Sequence, residues 1–250
     1  MLRLCFKSVL SLLCPLMMGL AASGASAKEL RPQLDDMVDH FVQVTLGREY
    51  NTGAGPRGAI KWQAASVGIA VQGKLATKTM VDMASAHVRT ITRLTGVKFR
   101  QIKPGTPGPS IDLIFLKRAE MGQLRLPNTD PAVLREMTDD PRTVCVFLTW
   151  DVPPGEIVRA VVVVNAEADP ARMNSCLLEE LTQVMGLPND VDAYWRSIFN
   201  PNDTGTAHSP WDRLYLKTLY DPRMKPGMNE AQMRAVAREI FAAALSGGTL

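Results

Sequence analysis

Histidine is scarce in this chain. There are three among 250 residues, His40, His87 and His208. That scarcity argues against an ordinary zinc enzyme, whose site draws heavily on imidazole. His40 and His87 fall within or beside apolar helical patterns and read as packed edge residues; His208 precedes Pro210 in a loop and reads as solvated. Aromatics make up 6% of the chain, and no basic block is interleaved with them, so nucleic-acid binding has little support. The P-loop and C-x-x-C are missing, and so is long βα alternation of the Rossmann kind, which removes the usual phosphate-transfer, thiol-redox and dinucleotide readings. No apolar run is long enough for a comfortable membrane span.

The N-terminus carries an export pattern. Arg3 and Lys7 form a positive start, Ser8 to Leu20 is a short apolar run, and Ala25-Ser26-Ala27 is a small-x-small cleavage site. The expected organisation is a signal peptide at 1–27 and one domain at 28–250. Removing 27 of 250 residues leaves 223, enough for one mixed domain with a sizeable core. The leader holds two basic and no acidic residues, so its removal lowers the formal net charge from +3 to +1. The mature protein is expected to be soluble and periplasmic or secreted, without a membrane span. Cys5 and Cys14 leave with the leader. Cys145 and Cys176 remain, and in an oxidising compartment such a pair reads as a disulfide.

Periodicity then sets the elements. Pro32 to Leu46 reads as an amphipathic helix with Met37, Val38, Phe41 and Val42 on its apolar face. Asn51 to Gly58 is glycine-rich and reads as a loop. A strand is expected at Val67 to Gln72, followed by a helix from the Thr77 cap to Gly96. Strands follow at Val97 to Ile102, Ile111 to Leu116, Thr143 to Trp150 and Ile157 to Asn165, the last valine-rich and central. Short helical turns are expected within Ala119 to Asp140. Asp169-Pro170 starts a helix running to about Met185. Helices near Asp212 to Tyr220 and Glu230 to Leu245 complete the chain. The expected class is α+β: a twisted mixed sheet packed by two long helices, then an irregular, helical C-terminal part.

The segment Glu179-Glu180-Leu181-Thr182-Gln183-Val184-Met185-Gly186-Leu187-Pro188-Asn189-Asp190 has the spacing of H-E-x-x-H-x-x-G-x-x-H. In that motif, two ligands four residues apart share one helical face. A glycine then lets the chain reverse towards a third ligand, and the glutamate activates water. Here Glu179, Gln183 and Asn189 stand at the ligand positions, while Glu180 and Gly186 are kept. Neutral amides are poor zinc ligands beside imidazole or carboxylate. Further on, Ser197-Ile198-Phe199-Asn200-Pro201 is similar to the methionine turn of matrixins, with Phe199 in place of methionine. Ser209 to Asp221 is similar in character to the segment that follows that turn. The chain thus resembles a degenerate metzincin. A closer resemblance is to the bacterial domain of unknown function 2927, whose E-E-x-T-Q-x-x-G-L-x-N-D signature matches Glu179 to Asp190.

The metzincin resemblance implies a zincin-like fold in which the metal site has been rewritten. It implies a pseudo-peptidase with no cofactor and no metal, binding an unknown peptide or cell-envelope component in the former substrate cleft. The alternative is a divergent hydrolase with Glu180 as general base, with or without a non-standard metal held by Glu179, Gln183 and Asn189 or Asp190. A third reading is a structural or assembly protein using the helical C-terminal part. The simplest account of Glu179, Glu180 and Gln183 is the solvated face of an amphipathic helix.

Overall fold

The computed structural model describes residues 31–47 and 58–247. The expected signal peptide and most of the expected glycine-rich loop lie outside the described residues. The elements run in order α1 (Leu34–Leu46), β1 (Ser66–Gln72), α2 (Lys78–Thr95), β2 (Lys98–Gln101), β3 (Ser110–Leu116), α3 (Arg118–Met121) and α4 (Pro131–Met137). They continue with β4 (Cys145–Val152), β5 (Glu156–Asn165), α5 (Pro170–Gln183), α6 (Pro210–Leu219) and α7 (Glu230–Gly247). The class is mixed α and β, with five strands and seven helices among the described residues.

The sheet order is β2-β1-β3-β5-β4. All neighbours are parallel except β4 and β5, which form an antiparallel pair joined through Pro153-Pro154-Gly155. Strand β5 explains its own place. Val161 and Val163 pack with Met121, Leu134 and Met137 of α3 and α4 in one cluster. Ala160, Val162 and Val164 join the larger core that includes α2 and α5. Successive side chains point to opposite faces, so a strand buried on both sides needs an unbroken apolar run. The sheet is therefore covered on both faces, with α2 and α5 packed together on the larger core side and the short helices on the other.

Thr77 and Gly96 end α2 as expected. The Thr77 hydroxyl accepts from the Met80 amide at 3.3 Å, and Gly96 takes φ +77°. Helix α1 packs on α7, with Phe41 edge-on to Phe241 at 5.6 Å and Arg238 paired to Asp35. Several boundaries moved by one or two residues, and two of them have a local cause. Helix α5 stops at Gln183, two residues early, because the chain already turns towards Gly186. Helix α6 starts at Pro210, because Ser209 and Asp212 form a reciprocal cap.

Cys145 and Cys176 form a disulfide with Cα atoms 6.0 Å apart, tying β4 to α5. The loop between them spans 31 positions. Replacing both by serine is expected to lower unfolding free energy by about 3 kcal/mol, on the chain-entropy account. Urea denaturation checks this, with the reduced wild type expected to match the double variant.

Candidate functional site

Helix α5 carries the motif. The Asp169 carboxylate accepts from the Ala171 and Arg172 amides, and Pro170 fills the first turn. Met173, Leu177 and Leu181 recur every four residues and enter the core. Asn174, Leu178 and Thr182 form a second row facing α2 and the loop before α6. Glu180 and Gln183 lie on neither row, yet both are buried, at 6% and 1% exposure. This corrects the solvated-face account; only Glu179 of the three is partly open.

Gly186 turns the chain at φ +110°, with the Ile60 carbonyl against its Cα. The carbonyls just beyond the motif helix are held by aromatic donors. Trp62 Nε1 donates to Val184 O at 2.9 Å, and the Tyr220 hydroxyl donates to Met185 O at 2.9 Å. Nearby, the Lys61 ammonium donates to Leu219 O and Met224 O, at 3.0 and 2.6 Å. Burial and Lys225 push that ammonium down to about 8.

After the turn the motif residues part company. Gln183 Nε2 donates to Asp190 Oδ1 at 2.7 Å, and Gln183 Oε1 is buried without a hydrogen-bond donor among the described residues. Asn189 is directed elsewhere: its Nδ2 donates to Gln43 O at 3.1 Å, at the end of α1. Phe199 is fully buried and stacks on Tyr215, with centroids 6.4 Å apart. Its turn is closed by Asn200 N donating to Ser197 O at 3.1 Å, and Phe199 O accepts from Val191 N at 2.8 Å. The turn thus holds the strand of chain that leaves the motif.

This donor set does not fit a zinc ion. The neutral amide oxygens of Gln183 and Asn189 are poor zinc ligands beside imidazole or carboxylate, and the Asn189 side chain is held at the end of α1. Among the described residues no group of three or more histidine, cysteine, aspartate or glutamate side chains could hold a metal. Among the described residues the hydroxyl beside an imidazole is that of Thr182, 2.8 Å from His208 Nε2, and its proton goes to Leu178 O rather than to the ring. Ser197 Oγ donates to Asp212 Oδ1 at 2.7 Å.

Two residues central to this region were not legible as such. Asp212 is fully buried, and its Oδ2 accepts from Ser209 N at 2.7 Å and Ile198 N at 3.4 Å. Burial pushes its carboxyl up to about 6 against the pull of those hydrogen bonds. The signal was available in Ser209-x-x-Asp212, a capping-box spacing. His208, expected to be solvated, is 5% exposed. Its Nε2 lies 2.8 Å from Thr182 Oγ1, whose own proton goes to Leu178 O at 2.7 Å, so the ring donates. Burial pushes His208 down to about 4.

Residues 35–239 match the family described as Protein of unknown function (DUF2927). The chain belongs to this family. No curated protein matches it. In this DUF2927 member, the signature resemblance at Glu179 to Asp190 falls on the end of α5, the Gly186 turn and the Gln183–Asp190 bond. Its remaining resemblances fall on the Phe199 turn and the end of α6.

Proposed function

We propose that this DUF2927 chain is an exported, metzincin-like pseudo-peptidase, a non-catalytic domain that binds a peptide or cell-envelope partner. The observation that carries this is the Gln183–Asp190 hydrogen bond. In the resembled motif, the second-ligand position and the residues after the glycine are bridged by a metal. Here a neutral amide and a carboxylate bridge them directly. The burial of Glu180 supports the same reading, because a general base needs water or substrate within hydrogen-bond reach. The order of strands and helices before the motif supports the relationship to metzincins.

Peptide binding is supported by the edge strand. Beyond β4 the sheet has no further strand among the described residues. An extended peptide can add main-chain hydrogen bonds to such an edge. The disulfide keeps that edge close to the motif helix. Among the described residues no helix is long and apolar enough to cross a membrane.

The test is metal content of residues 28–250, purified from the periplasm without chelator or affinity histidines. The expected zinc is well below one ion per chain. Stoichiometric zinc would overturn the proposal. In parallel, Glu180→Gln is expected to retain envelope components from an extract as well as the wild type does. Loss of that retention in a folded variant would point instead to a working general base.

A further inference from the structure

Behind the motif face, helix α5 borders a cavity of about 510 Å³. That is within the size range of small-molecule sites. Its walls come from α2, α5, the loop before α6, and α6 itself. The polar lining is notable for its sign: His87 and Arg93 from α2, His208 from the loop, Arg213 from α6, and no carboxylate. Met83 and Leu178 contribute apolar surface.

The polar groups are held in place by neutral partners. Arg93 Nη2 donates to Thr90 Oγ1 at 2.9 Å. His87 Nε2 donates to Asn174 Oδ1 at 2.8 Å, since an amide oxygen only accepts. His208 Nε2 donates to Thr182 as above. Both rings thus spend Nε2–H on α5 and keep Nδ1 as the site for a second proton. No side-chain partner faces either Nδ1 among the described residues, and the Asn174 backbone also lies within hydrogen-bond reach of the His87 ring. Arg93 and Arg213 have no acidic partner among the described residues.

We propose that this cavity binds a small oxyanion, a carboxylate or phosphate group carried on a compact, partly apolar body. The two guanidiniums supply fixed charge, and the two imidazoles supply charge on demand. An anion between them offsets the burial that keeps the rings neutral, so binding takes up protons. Binding therefore strengthens as pH falls through the histidine range. The groups facing His208 are consistent with that sign: His87 and Arg93 from α2, the neutral Asn174 and Thr182 from α5, and Arg213 from α6. Asp203 and Asp212 lie in a smaller adjoining cavity behind His208. Asp212 is occupied there by Ser197, Ser209 and Ile198, and Asp203 by Arg196.

Calorimetric titration of the mature chain with inorganic phosphate and with succinate tests this, using succinamide as the uncharged control. At least one oxyanion is expected to bind saturably, with a dissociation constant on the order of 1 mM or tighter at pH about 6. Proton uptake should be seen by repeating the titration in buffers of different ionisation enthalpy. Arg213 is exposed, so Arg213→Gln should leave the melting temperature unchanged while weakening binding roughly tenfold. His87→Gln should abolish part of the proton uptake. Saturation by neither phosphate nor succinate overturns the proposal, as does equal binding by Arg213→Gln or equal binding of succinamide. A dominant response to phosphate points to a phosphorylated ligand, and a dominant response to succinate to a carboxylic acid.

Discussion

Replacing Gly186 by alanine is expected to lower the unfolding free energy by about 4 kcal/mol or more, among the larger effects of a single substitution. Two terms combine. At φ +110° an L-residue is strained whatever space surrounds it. An added Cβ would also stand 2.0 Å from the Ile60 carbonyl oxygen and 3.2 Å from Leu219 Cδ2. The obstacle is backbone, so it cannot swing aside as a side-chain tip would. Moving Ile60 would also disturb its neighbours in sequence, Lys61, which holds the last carbonyl of α6, and Trp62, which holds the Val184 carbonyl just after α5. Gly96 separates the two terms. It has φ +77° with nothing within 4 Å of the added atom, so Gly96→Ala should lose only about 1 kcal/mol of backbone strain. Urea denaturation of both variants decides the matter. Equal losses would mean that the collision at Ile60 carries no weight.

Much of this architecture was legible because local rules and packing agreed. The valine run of β5 required burial on both faces, and the sheet provides it. Thr77 and Gly96 bounded α2 through local hydrogen bonding and backbone freedom. Cys145 and Cys176 are the two cysteines beyond the expected leader, and they form the disulfide that this reading called for. The failures share a cause: each depends on chain segments that meet only in the folded state. Glu180 and Gln183 have the spacing of an exposed face, yet both are buried, and Asp190 beyond the Gly186 turn reaches back to Gln183. Asn189 has the spacing of a third ligand, yet the end of α1 offers it a carbonyl. His208 follows no periodic pattern, so nothing local revealed that Thr182 and α2 would enclose it. Asp212 could have been found from its cap spacing, but not its bond to Ser197, fifteen positions away.

Asp212→Ala is expected to destabilise the protein by about 4 kcal/mol at neutral pH, because two buried donors and one half-buried donor lose their acceptor together. Asp212→Asn keeps the shape and isolates the charge. Asp212 titrates at about 6 in the fold against an ordinary 3.8. Between those values the folded chain holds a proton that the unfolded chain has lost. Raising pH through that window therefore removes stability, on the order of 3 kcal/mol. His208 runs the other way. It titrates at about 4 in the fold against 6.5, so the unfolded chain holds the extra proton and raising pH adds stability, again on the order of 3 kcal/mol. The windows overlap, and the two contributions offset each other in the wild type. Asp212→Asn lacks the carboxyl contribution that wild type loses as pH rises, so its stability relative to wild type climbs from pH about 4 to 6. His208→Gln lacks the imidazole contribution that wild type gains as pH rises, so its relative stability falls over the same range. Denaturation in chloride buffers across that range measures both, and comparison with wild type cancels the remaining carboxylates. Parallel curves for all three proteins would show that neither buried group titrates in the fold as its surroundings require.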